Sequence, residues 1–137
     1  MKKITKSLAR GKRVVVRLDL DVPMNNGVVL DATRLKAAAR TLETVSGAKQ
    51  IIIIGHAGRP KGVYDAKYSL LPIAKALAKQ LKVDINLVND VMSKDLPDSK
   101  YVMLENLRFF EGEKKNSARF AKHLASFGDI YVNDAFA

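Results

Sequence analysis

The sequence predicts an α/β fold, a parallel sheet with helices packed against it, on three observations. Five short apolar, mostly β-branched runs occur at residues 13–18 (RVVVRL), 51–54 (IIII), 85–88 (INLV), 101–104 (YVML) and 129–132 (DIYV). The connections between them are a dozen residues or longer and mostly carry an amphipathic helical pattern, as crossovers between parallel strands require. A chain of 137 residues, 47% hydrophobic and 28% charged, suits one globular domain with a real core.

Taken in order, the run at 13–18 is the first strand. A helix follows, with Leu35, Ala38, Ala39, Leu42 and Val45 on one face at 3.6 residues per turn, Asp31 or Thr33 as its cap and Gly47 as its end. Four consecutive isoleucines at 51–54 predict a strand buried on both faces. A second helix is expected from Ser69, tolerating Pro72 in its first turn and placing Leu70, Ile73, Ala74, Leu77, Ala78 and Leu81 on one stripe. After the strands at 85–88 and 101–104, a third helix is expected over residues 116–127, stopped by Gly128, and the strand at 129–132 follows. No repeat of fixed period and no Ser/Gly/Pro-rich linker divides the chain.

Composition removes several function classes. With no cysteine there is no disulfide, thiolate metal site or cysteine nucleophile, and two histidines, His56 and His123, leave little for a zinc site. The longest apolar run, 51–54, is far short of the roughly 20 residues a membrane helix needs. The first 17 residues hold seven basic and no acidic residues but lack a signal peptide's apolar stretch, so a cytoplasmic protein without a targeting segment is expected. A net charge of +10 attracts phosphates, nucleic acids, acidic proteins and anionic membranes alike. The basic stretches at 2–17 and 114–119 read as solvated faces that raise the local concentration of anions.

In parallel sheets ligands sit beyond the carboxyl ends of the strands. Those positions hold Asp19 and Asp21, His56 and Arg59, Asn89 and Asp90, Glu105, Asn106 and Arg108, and Asn133 and Asp134. Loops are polar in general, which accounts for any one of these but less well for all of them together. Gly55-His56-Ala57-Gly58-Arg59-Pro60 is the sharpest local feature: its glycines permit close backbone approach to a ligand while the turn aims a histidine and an arginine at an anion. A tight turn with two solvated side chains would read the same way. Neither G-x-x-x-x-G-K-[ST] nor G-x-G-x-x-G occurs, so nucleotide phosphates have no recognisable cradle. Arg108 suits bidentate phosphate recognition, or a pair with Glu105 or Glu111. Arg34 falls at the positive end of the first helix, unfavourable by about 0.3–1 kcal/mol unless an anion or a carboxylate meets it. His123, alone on a helix, is assigned no role.

Several segments, in order, resemble phosphoglycerate kinase: RLDLDVP at 17–23, DATR at 31–34, GHAGRPKG at 55–62, YSL at 68–70, LENLRF at 104–109, Glu111 with Lys115-Asn116 at a slightly shifted spacing, and YVNDAF at 131–136. The resemblance covers essentially the whole chain. It implies a three-layer, Rossmann-like parallel sheet with helices on both faces, of the family's N-terminal domain type. Residues 1–137 would be a partial N-terminal substrate-binding domain, with the nucleotide-binding C-terminal domain absent. In the full-length family that missing domain binds Mg-ADP or Mg-ATP, so no cofactor or metal is expected on residues of this chain.

By the same resemblance, Asp19 and Asp21 would lie near the hydroxyl and carboxylate of 3-phosphoglycerate or 1,3-bisphosphoglycerate. Arg34 would meet the carboxylate and the transferring phosphoryl group as the catalytic, charge-stabilising residue. His56, Arg59 and Arg108 would hold the distal phosphate. Two departures stand out: Asp21 where the family has asparagine, and Ala137 where it has glycine. An ionised Asp21 cannot donate a hydrogen bond and repels an anion.

Three functions follow for comparison. The first is the substrate half of a glycolytic phosphoglycerate kinase, a monomer inactive alone for want of a nucleotide site. The second is a binding module that holds a phosphometabolite without catalysis. The third, a nucleic-acid-binding domain, has the +10 charge in its favour but no RNP-type, zinc-finger or helix-turn-helix signature, so neither nucleic acid nor membrane is expected as a partner.

Overall fold

The computed structural model describes residues 4–110 and 118–134. In chain order these form α1 (Lys6–Ala9), β1 (Arg13–Leu18), β2 (Met24–Asn25), β3 (Val28–Val29), α2 (Thr33–Thr44), β4 (Gln50–Ile54), α3 (Leu71–Leu81), β5 (Asn86–Val88), β6 (Tyr101–Leu104), α4 (Ala118–Ala125) and β7 (Ile130–Asp134). Single 3-10 turns lie at Ala66–Tyr68 and Leu107–Phe109.

Five strands make one sheet in the order β5-β6-β4-β1-β7, parallel throughout. The α/β reading therefore holds. Side-chain alternation splits β1, β4, β5 and β6 between two cores, while the edge strand β7 packs Ile130 and Val132 into one of them and exposes Tyr131. Val14, Val16, Leu18, Ile51 and Ile53 meet Leu35, Leu42, Ile73 and Leu77 of α2 and α3 on one face. Val15, Ile52, Ile54, Val102 and Leu104 meet Phe120 and Leu124 of α4 on the other. All four isoleucines of β4 are 0% exposed, as a central strand between two helical layers must be. At about 1.5–3 kcal/mol per fully buried apolar side chain, this strand anchors both cores.

Several boundaries differ from expectation. β7 runs two residues further than the apolar run, so Asn133 and Asp134 do not follow a strand; they pair in it with Arg17 and Leu18. The Thr41 hydroxyl of α2 donates to the Asp134 carboxylate, which fastens that end of β7. The second helix begins at Leu71 rather than Ser69, because the Ser69 hydroxyl accepts the Leu71 N–H at 3.2 Å instead of entering the helix. The first helix stops at Thr44, with Val45 as its C-cap, before Gly47. Of the third, the described residues are helical from Ala118 to Ala125.

The β2–β3 hairpin was not expected. Its Asn26-Gly27 turn has φ of 51° and 77°, the two positive values of a tight hairpin turn whose twist matches the strands. Between β1 and α2 it folds back as a small flap, closed by the Leu30 N–H donating to Pro23 O at 2.8 Å.

Gly55, directly after β4, packs against the end of β1. A Cβ there would stand 2.8 Å from both Leu18 O and Leu20 Cδ1. Because Leu18 O is sheet backbone it cannot yield, so Gly55→Ala is expected to lower the unfolding free energy by about 1–3 kcal/mol. Urea denaturation followed by circular dichroism measures this, and an unchanged midpoint would contradict it.

Candidate functional site

Because the sheet is parallel throughout, every strand delivers its carboxyl end to the same edge. After β1 the chain places Asp19 and Asp21 there, and α2 begins beside them with Arg34 in its first turn. Arg34 Nη1 lies 3.4 Å from Asp19 Oδ1 and donates to Asp21 O at 2.6 Å. The cation at the positive helix end thus has its carboxylate. With Arg34 half exposed, the pair contributes only about 0–1 kcal/mol to stability and acts mainly to orient the guanidinium. That group opens on a cleft of about 410 Å³ lined by Asp21, Val22, Pro23, Asp31 and Arg34.

Asp31 caps α2 without occupying the N-cap position, which belongs to Ala32. Its Oδ1 accepts the Thr33 N–H at 2.9 Å. That backbone hydrogen bond, followed by one to the Thr33 side chain, holds the Asp31 carboxyl below its ordinary value of 3.8.

The other half of the edge is the loop after β4. Gly58 has φ of 64°, and a Cβ on it would collide with the Tyr68 ring at 2.3 Å. The closeness that Gly55 and Gly58 permit is therefore between parts of the protein itself. Gly58 N–H donates to Asp21 Oδ1 at 3.0 Å, and Gly58 O accepts from Arg108 Nη1 at 3.3 Å. A continuous chain of contacts consequently runs from Asp19 through Arg34, Asp21 and Gly58 to Arg108. His56, half buried, and Arg59, exposed, stand on either side of this linkage in the same loop.

The expected alternative of an Arg108–Glu105 pair is not what forms. Glu105, 1% exposed, accepts from the Ser69 hydroxyl at 2.7 Å, Leu70 N–H at 2.7 Å and Asn106 N–H at 2.9 Å. Asn106, 0% exposed, donates through Nδ2 to Ala57 O at 2.7 Å and Tyr68 O at 2.9 Å, and accepts the Arg108 N–H at 3.0 Å. The sequence placed both at a strand end, offered Glu105 only as a partner for Arg108 and gave Asn106 no role. The available signal was a polar pair enclosed between the fully apolar run at 101–104 and Leu107.

Elsewhere, Asp90 turns back to accept the Met92 N–H at 3.1 Å, Asn89 is exposed, and His123 Nε2 lies 2.8 Å from Val91 O. Among the described residues no group of three His, Asp or Glu side chains could hold a metal ion. Glu111, Lys115, Asn116 and residues 135–137 lie outside the described residues.

Comparison with known proteins gives a consistent picture. The family pattern described as Phosphoglycerate kinase matches residues 4–137. A phosphoglycerate kinase of Coprothermobacter proteolyticus is 42% identical over 100% of this chain and 37% of its own length. One from Borrelia garinii is also 42% identical, over 92% of this chain and 34% of its own. The structure of phosphoglycerate kinase from Coxiella burnetii superimposes with a TM-score of 0.83 at 35% identity, over 93% of this chain and 33% of that one. The enzyme from Pyrococcus horikoshii gives 0.73 at 31% identity. The chain thus spans about a third of the length of the relatives it matches.

Since the Asp31 carboxyl is depressed in the folded protein, its contribution is complete well above 3.8 and is lost as the pH falls toward and below that value. The stability difference between the wild type and Asp31→Ala should therefore shrink between about pH 5 and pH 3 in urea melts. A difference that stays constant across this interval would remove Asp31 as the cap.

Proposed function

The chain belongs to the phosphoglycerate kinase family, and from that membership we propose that it is the substrate-binding half of such an enzyme. The reaction in view is phosphoryl transfer between 1,3-bisphosphoglycerate and ADP, giving 3-phosphoglycerate and ATP. The observation that carries the reading is Arg34, held by Asp19 and by Asp21 O at the mouth of the cleft with half its surface open.

Phosphoryl transfer asks a protein for positioning and charge stabilisation rather than covalent chemistry. In this reading Arg34 receives the carboxylate and the transferring phosphoryl group, its guanidinium already oriented before the ligand arrives. Asp19 holds Arg34 and lies near the substrate hydroxyl, with Asp21 beside it. His56, Arg59 and Arg108 receive the distal phosphate, Arg108 being steadied by Gly58 O. The family's magnesium nucleotide supplies the phosphoryl acceptor. The glycine loop after β4 does not fit it, because Gly58 commits its N–H to Asp21. We assign the nucleotide to the part of the relatives' length that this chain does not span, so the chain alone binds without turning over.

On this reading the protein works as a cytoplasmic monomer with no membrane or nucleic-acid partner. No described helix is long and apolar enough to cross a membrane. A second reading, a phosphometabolite-binding module without catalysis, is favoured by Asp21, an acidic residue among those lining the same cleft. Turnover when the chain is mixed with the nucleotide-binding part of a relative separates the two.

Calorimetric titration with 3-phosphoglycerate tests the site. Arg34→Ala and Arg59→Ala should each weaken binding by about 1.5–3 kcal/mol, the value of a hydrogen bond to a charged group, with far-UV circular dichroism unchanged. Binding equal to wild type in both would abolish the site. Asp21→Asn should tighten binding: the amide oxygen keeps accepting the Gly58 N–H while its nitrogen offers the anion a donor. Weaker binding would show that the Asp21 charge is needed.

A further inference from the structure

We infer that Asn106, backed by Glu105, is the positioning residue of the anion site, an inference that rests on the substrate-binding reading. It reaches no ligand itself. Its effect passes through the peptide between Ala57 and Gly58, which is gripped on both sides: Asn106 Nδ2 holds the C=O, and Asp21 Oδ1 holds the N–H. With its two ends fixed, this peptide plane cannot rotate, and it lies between His56 and Arg59. The same Asn106 amide accepts the Arg108 N–H, so its two ends set the backbone on both sides of the phosphate-binding group.

Glu105 completes the device. Its carboxylate takes the Ser69 hydroxyl and the Leu70 N–H at the positive end of α3, where no side chain of the helix's own provides a cap. Ser69 and Leu70 follow Tyr68, whose carbonyl takes the second Asn106 hydrogen and whose ring fills the space beside Gly58. Two adjacent side chains at the end of β6 therefore join the loop after β4, the start of α3 and the turn carrying Arg108. Being buried, they find no equivalent partners in water if any of these segments shifts.

Asn106→Asp keeps the shape and the acceptor for Arg108 but sets an oxygen against two carbonyls; Asn106→Ser, smaller and uncharged, is the milder variant. Each is titrated with 3-phosphoglycerate alone and combined with Arg108→Ala, alongside amide hydrogen exchange without ligand. Either variant should weaken binding at least about tenfold, and adding Arg108→Ala should cost less than its full separate effect, because both act through one group. Exchange should quicken at Gly58 and Arg108 while Val15, Ile52 and Val102 in the sheet stay protected. Effects that simply multiply in the double variants, or protection lost evenly across sheet and loops, would reduce Asn106 to a general stabiliser and overturn the inference. Should the wild type fail to bind 3-phosphoglycerate, the substrate-binding reading falls. Exchange then decides the inference: selective loss upholds Asn106 as the loop's anchor, and even loss removes it.

Discussion

The site depends on a carboxylate and an amide buried side by side at the end of β6. Removing such groups from water costs several kcal/mol unless each donor and acceptor finds a partner. Glu105 meets three donors; Asn106 gives two hydrogen bonds through its side chain and takes one. Among the described residues no buried side-chain nitrogen or oxygen lacks a partner. The partners come from three separate segments, so satisfying the pair means bringing those segments into one arrangement. Loops that would otherwise be mobile acquire a single geometry from a desolvation requirement.

Around that fixed point the charged residues need contribute little stability. Arg34, Asp19, Asp21 and Arg59 are wholly or partly exposed, and their contacts are those of surface groups. Division of labour follows: buried polar groups hold the backbone, and exposed charges remain available to an anion. Under the proposed function, this supplies preorganised charge for phosphoryl transfer without tying it up in the protein's own core.

The fold was largely legible because its signals are short-range. Ile51 to Ile54 announced a doubly covered strand, and the stripe of Leu35, Ala38, Ala39 and Leu42 announced the helix that covers it; all are buried as their spacing implied. The segments resembling a known family likewise marked where to look for the site. Contacts between distant segments were not legible. That Asp21 would take the Gly58 N–H, that Glu105 would turn to Ser69 and Leu70 instead of Arg108, and that Asp134 would take the Thr41 hydroxyl are tertiary facts. The hairpin at Asn26-Gly27 belongs to a different category: the dipeptide is a strong turn signal, but strands of two residues leave no alternation to notice.

The position of β1 between β4 and β7 sets an order of assembly. Arg13 and Asp129 join across the sheet from 116 residues apart. At a synthesis rate of about 5–20 residues per second, roughly 6 to 23 seconds separate the emergence of β1 from that of its second neighbour. Throughout that interval β1 has a bare edge carrying three consecutive valines, a template for pairing with another chain. Arg13 and Arg17 bracket those valines, and in a nascent chain their like charges repel a second copy of the same segment. Those two arginines thus flank an edge that the finished sheet, with β4 and β7 on either side, no longer exposes.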